Sequence, residues 1–491
     1  MLAVIIHNEP TSYPALHENG LPQAFLKMVS SHIPPTPELI TAIPNVFDAI
    51  CINNQGKELF AQYNFDGFFS VFRSLEHCKI MTKGHCASDA GAAMDELLRH
   101  HPDLKDVFLK GYIQMVTDVC QNRIMNEEPV GVKLPELADV REDVKNEKEA
   151  IWIPCALISG QDQTRARIEE ERNTPVLLLA RNMLYFSEGF FSTAHWLKDF
   201  VKDDGHKLLL GILNAPALPC DYAETRDGFC LRNLICLFAE QNGPIVIPHI
   251  INATRDILTQ IDQSPACLPN RYITDDGLEE LDLATINPYL RLLARLLSHL
   301  GVLHSIYTQT TNLQGRPNTP YTLPFNQPEN VEMIGTLGKI VRDCYSRGNE
   351  LMRLLPKKYK DALSMENIEN PNTRRRSDKS DLTDDAFMNK HGFPRRSPIF
   401  RNIELFQLLI GLLPRRTQRF FAGLSNSLVS RTKLNDPNQR TVAVSVLDKM
   451  SDVFLDLIRY NADQGVQTLD QSLYIFCATT FIHNTLIGGI P

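Results

Sequence analysis

The segment from Ile5 to Leu75 constrains the fold most strongly, because one short punctuation pattern recurs in it. Asn19-Gly20-Leu21-Pro22 precedes the apolar stripe Ala24, Phe25, Leu26, Met28 and Val29. Asn64-Phe65-Asp66-Gly67 precedes Phe68, Phe69, Val71, Phe72 and Leu75. In each case a glycine follows a polar stretch and opens a helix whose apolar residues recur at helical spacing. The two glycines are 47 residues apart, a period that suits armadillo and HEAT repeats. Lys202-Asp203-Asp204-Gly205, followed by Leu208-Leu209-Leu210, reads as a third copy. Such a chain is expected to form an all-α, armadillo/HEAT-like helical-repeat solenoid, in which function resides in extended surfaces rather than one pocket.

Thirty prolines fit many helices that start and stop often, since proline is tolerated in a first turn where its missing N–H leaves no bond unmade. Pro22 holds such a position. Helices are expected at Asp89–His100, from an Asp103 cap through Val119, from Pro175 to Phe186, and near 190–201, 205–214, 225–240 and 245–261. The strongest runs from Asn287 to Thr310, with another helix pair near 329–364. No stretch alternates as a sheet protein would.

This reading divides the chain into armadillo-like repeats over 1–125, a charged loop or insertion over 126–150, and continued repeats over 151–365. A disordered linker follows at 366–398, then helical repeats in four segments over 399–491. The loop is dense in acidic residues, and the linker loses apolar periodicity altogether.

The formal net charge of −8 disfavours broad phosphate binding. Eleven cysteines without paired spacing read as reduced thiols, and Leu2–Ile6 is too short for a signal sequence, so a cytoplasmic and/or nuclear protein is expected. Leu473–Ile490 is too polar and short for a clean membrane span.

Candidate chemistry is sparse. Gly335-Thr336-Leu337-Gly338-Lys339 lacks the spacer and hydroxyl residue of a phosphate loop, and Lys339 reads as a helix-surface lysine. His77-Cys78 and His85-Cys86 offer zinc-type ligands, but without knuckle spacing they read as a buried thiol beside loop histidines. Cys230 and Cys236 fall on an apolar helix pattern, where cysteine acts as a small hydrophobe. With neither a nucleophile elbow nor a His-Glu-x-x-His motif, no catalytic, cofactor-binding or metal residue is assigned. The regulatory or nuclear-import candidates are Arg374, Arg375, Arg376 and Ser377, and Arg395, Arg396 and Ser397. There, a phosphorylated serine would cancel the neighbouring positive charge.

A family resemblance rests on an ordered series of residues. It comprises Glu9-Pro10, Asn19-Gly20-Leu21, Ile43-Pro44-Asn45-Val46-Phe47, Ala93-Met94-Asp95-Glu96-Leu97-Leu98-Arg99-His100, and Phe200-Val201-Lys202-Asp203-Asp204-Gly205. Phe400-Arg401-Asn402 and Phe420–Leu424 continue it. Together these resemble the N-terminal armadillo-like region of the giant HECT-type ubiquitin ligases. The resemblance implies a non-catalytic scaffold segment that binds protein substrates, with ubiquitin and an E2 enzyme engaged through the full-length ligase. It also implies a catalytic cysteine in a HECT domain that this chain does not include, so no cysteine here inherits that role. The alternative is a stand-alone armadillo-like adaptor. A nuclear-transport-type adaptor would want Trp/Asn pairs along the repeats, and the only tryptophans are Trp152 and Trp196.

Limited proteolysis should cut first between Met365 and Pro398. Protection there, with cleavage inside Asn287–Thr310 instead, would overturn the linker boundary.

Overall fold

A computed structural model describes residues 2–31, 36–77, 85–126, 175–215, 225–264, 283–312, 323–354, 398–431 and 436–463, with a few isolated positions between them. The charged loop expected at 126–150 and the linker at 366–398 lie almost wholly outside these residues. Every described element is helical, so the all-α expectation is met. The described residues form two compact units. One draws on residues 1–127, 161–216 and 224–246, and the other chiefly on those from 247 onward.

In the first unit, the helices are α1 (Leu2–Asn8), α2 (Tyr13–Glu18), α3 (Leu21–Ser31), α4 (Pro37–Cys51), α5 (Asn54–Gln62) and α6 (Asp66–Ser74). They are followed by α7 (Cys86–His100), α8 (Lys105–Thr117), a π-helical turn (Asp118–Ile124), α9 (Pro175–Phe190), α10 (Leu197–Lys202) and α11 (Gly205–Gly211). Helix α12 (Arg226–Gln263) carries the boundary between the units. It joins the helices expected at 225–240 and 245–261, and Asn242 leaves helical dihedrals between them (φ −138°, ψ 41°). Although α12 is long and apolar enough to span a membrane, 56% of its most apolar window is buried within the protein.

Proline and glycine set the helix limits. Helices α4 and α9 begin on proline, and Pro22 is the second residue of α3, as its missing N–H requires. The three recurring glycines do two different jobs. Gly20 turns the chain with its own positive φ of 72° and has open space around it. Gly67 and Gly205 instead follow residues in the left-handed region, Phe65 (φ 55°) and Asp204 (φ 62°). Each leaves room for an aromatic ring: a Cβ would lie 2.3 Å from Phe47 at Gly67 and 2.4 Å from Phe200 at Gly205. Gly67 and Gly205 are therefore true counterparts, and Gly20 is not. The expected Asp103 cap is also corrected. Asp103 lies in the short helical turn Pro102–Leu104 ahead of α8, and its carboxylate accepts from Lys57 Nζ at 3.0 Å.

Packing in this unit follows a ladder of rings. Phe47 stacks on Phe60 with centroids 4.8 Å apart, and Phe68 meets Phe108 at 5.2 Å. Phe108 meets Phe190 at 5.0 Å, and Phe191 meets Phe200 and Phe238 at 4.9 and 5.3 Å. Such pairs add about 0.5–1.5 kcal/mol each beyond the apolar area they bury.

The second unit contains α13 (Leu283–Asn312), α14 (Pro328–Leu354), α15 (Pro398–Arg431) and α16 (Pro437–Asp463). Helix α13 packs on α15, while α14 packs on α16 and on α15. Tyr307 meets Phe420, and Phe421 meets Phe454, with centroids 6.0 and 5.7 Å apart. Of the four helical segments expected over 399–491, the described residues carry two. Gly335 and Gly338 lie inside α14, and Lys339 pairs with Asp262 at 2.5 Å on an exposed surface. The helix-surface reading of that lysine is therefore correct.

Helices α7 and α9 approach backbone to backbone. A Cβ on Gly91 would sit 2.1 Å from the Phe186 carbonyl oxygen, and one on Gly189 would sit 1.9 Å from that of Ser88. Gly189→Ala should destabilise the protein by about 1–3 kcal/mol in urea unfolding, because backbone must move. Gly211→Ala, where nothing lies within 4 Å, should be neutral or stabilising.

Candidate functional site

One set of polar groups in the first unit lies along the seam between α4 and α7. Helix α4 presents Thr41, Ala42, Asn45 and Asp48 at one helical spacing, and α7 answers with Asp89, Ala92, Ala93, Glu96, Arg99 and His100. The small alanines leave a groove of about 550 Å³, lined also by Ser192 and Thr193.

Asp95 anchors its floor. The residue is 1% exposed, and its carboxylate is fully used. Arg99 Nε donates to Oδ2 at 3.0 Å, while Thr193 Oγ1 and Trp196 Nε1 donate to Oδ1 at 2.8 and 2.9 Å. A buried carboxylate is tolerable only when paired and bonded in this way. These bonds tie the turn after α9 to α7, and that turn holds Ala194 at φ 61°, a conformation costly for any residue with a Cβ.

At the far end, three histidines converge on Asp48. His100 Nδ1 lies 2.9 Å from Oδ1. His101 Nε2 lies 3.1 Å from both Oδ1 and the Asp48 carbonyl, and His7 Nε2 lies 3.5 Å from Oδ2. The cluster draws together α1, α4 and the C-terminal end of α7. Burial acts to raise the Asp48 carboxyl, but hydrogen bonds from His101 and His100, and the charge those rings carry when protonated, hold it below the usual carboxylate range.

The described thiols are buried. Burial pushes Cys51, Cys120 and Cys236 up to about 12 and Cys86 to about 11, with Cys230 also raised. A thiol so placed stays protonated at neutral pH and is a poor nucleophile. Cys230 and Cys236 are core residues of α12, as their spacing suggested. Cys86 packs its sulfur 3.5 Å from that of Met81, and Cys78 lies outside the described residues. Among the described residues, no group of three or more His, Cys, Asp or Glu is arranged to hold a metal ion.

Arg374, Arg375, Arg376, Ser377, Arg395, Arg396 and Ser397 lie outside the described residues. The seam itself was not anticipated as a site from sequence. Its signals were the segment Ala93–His100, which reads as helix and carries part of the family resemblance, and the adjacent His100-His101.

The Asp48 cluster makes stability depend on acid. A carboxyl held below its unfolded value stabilises the fold above that value and loses the contribution as pH falls through the folded one. Asp48→Asn should therefore flatten the acid limb of urea midpoint against pH below about pH 4, and cost on the order of 1–2 kcal/mol at pH 6. An unchanged acid limb would count against the cluster.

Residues 1–221 match the family described as Domain of Unknown Function (DUF913). The chain is 44% identical over 111 residues to the E3 ubiquitin-protein ligase ptr1 of Schizosaccharomyces pombe, a stretch covering 22% of this chain and 3% of the relative. It is 36% identical over 102 residues to the E3 ubiquitin-protein ligase TOM1 of Saccharomyces cerevisiae, covering 21% and 3%. With the E3 ubiquitin-protein ligase HUWE1 of Mus musculus it shares 32% identity over 129 residues, covering 24% and 3%. The chain thus spans only a small fraction of these relatives' length. The resemblance to the N-terminal region of HECT-type E3 ubiquitin ligases holds over the part of the chain that matches the DUF913 family.

Proposed function

We propose that this chain is a non-catalytic helical scaffold segment of a HECT-type E3 ubiquitin-protein ligase, binding substrates or partners for protein ubiquitination. The sequence relation to E3 ubiquitin-protein ligases carries this reading, at 44% identity over 111 residues for one of them. Two physical features support it. The thiols of the core are buried and protonated, which suits a scaffold rather than a ubiquitin acceptor. The segment Ala93–His100, which carries part of the resemblance, also forms one wall of the α4–α7 groove.

In this reading ubiquitin and an E2 enzyme are partners of the complete ligase, in a cytoplasmic or nuclear setting. The basic segments Arg374–Arg376 with Ser377, and Arg395-Arg396 with Ser397, are its proposed regulatory or import elements.

Sequencing the transcript across both ends of the reading frame is the first test, and continuation into a HECT domain with its cysteine is expected. In that complete protein, removing residues 1–491 should leave self-ubiquitination intact and reduce conjugation onto client proteins. A frame that closes without a ligase domain, or client conjugation that is unchanged, would leave the adaptor reading in its place.

A further inference from the structure

The α4–α7 groove has walls whose polar groups are not all consumed by the fold. Asp95 is saturated, and Arg99 is tied to it. Asp89 and Glu96 are exposed, and their carboxylates make no hydrogen bond or ion pair with any described residue. The side-chain amide of Asn45, on the opposite wall, is equally unengaged. Between the two free carboxylates the helix offers only Ala92 and Ala93, so the approach to them is open.

The spacing is informative. Seven residues at 1.5 Å rise set Asp89 and Glu96 about 10 Å apart along α7. That is about one turn of a polyproline-II segment, three residues at 3.1 Å, in which side chains three positions apart share a face. An amide such as Asn45 can donate to a peptide carbonyl and accept from a peptide N–H at once. We propose that this groove binds a protein segment in polyproline-II conformation carrying two basic side chains three positions apart, which pair with Asp89 and Glu96 while Asn45 clamps the backbone between them. The proposal deepens the scaffold reading and rests on it for biological context, but the binding itself can be measured alone.

The probe is a fluorescein-labelled twelve-residue peptide with two arginines three positions apart in a Gly/Ser background, titrated against the full 491-residue chain by anisotropy. The same peptide with glutamine at both positions is the control. The arginine peptide should bind and the glutamine peptide should not. Binding should weaken at least about tenfold in the double variant Asp89→Arg, Glu96→Arg, and several-fold in Asn45→Ala. Glu58→Arg, exposed on α5 and outside the groove, should leave affinity unchanged apart from a small uniform effect of net charge. Thermal unfolding of each variant checks the fold, because Asp89 lies in the first turn of α7 and an arginine there opposes the helix dipole. Equal binding of both peptides, or undiminished binding to the double reversal, overturns the proposal. So does the absence of arginine-peptide binding at low salt. Peptide binding that responds to the groove while client conjugation ignores the segment would sink the ligase reading and leave the groove assignment standing.

Discussion

Much of the first unit depends on how closely the backbones of α7 and α9 approach each other. At Gly91 and Gly189 a methyl group on either helix would fall about 2 Å from a carbonyl oxygen of the other. No side-chain rotation can relieve an overlap with backbone, so the register of the two helices is fixed at that point. One turn further along, the same seam brings Asp95 of α7 against Thr193 and Trp196 of the turn that follows α9. Close approach and buried hydrogen bonds thus specify the same pairing. The Trp196 bond would be costly to break, since its buried indole N–H would be stranded away from water.

That seam also explains where strain is kept. Ala194 sits at positive φ because the residues on either side are committed, Thr193 to Asp95 and Trp196 to the same oxygen. The groove beside it inherits a rigid end. A surface intended to recognise an extended segment gains from this, because less conformational freedom is lost on binding. The Asp48 cluster plays the corresponding part at the other end, tying α1 and the C-terminal end of α7 to α4.

Much of the fold was legible in the residues. Helical spacing located α7, α9 and α13 closely, and prolines marked the starts of α4, α9, α14, α15 and α16. The resemblance to HECT-type ligases was carried by an ordered series of short segments and stands over the N-terminal region. Two of the errors share one cause. Gly20 and Gly67 share a sequence context, yet one supplies a positive φ and the other supplies space for the Phe47 ring. Asp103 has the composition of a cap, but its carboxylate is taken by Lys57, 46 residues away. Local patterns cannot distinguish these uses, because the deciding partner lies on another helix.

By itself, the sequence determined what is local: helical periodicity, the residues that start and stop each helix, the family resemblance of the N-terminal region and the tendency of the cysteines to be core. Only the tertiary structure decided the site. The bonds that define it join residues far apart in sequence: Asp48 to His100 across 52 positions, Asp95 to Thr193 across 98 and Asp95 to Trp196 across 101. A helical pattern says which residues share a face, but not which face meets which. That choice is made where side chains are small enough for backbones to touch, and it left Asp89, Glu96 and Asn45 facing solvent across one groove.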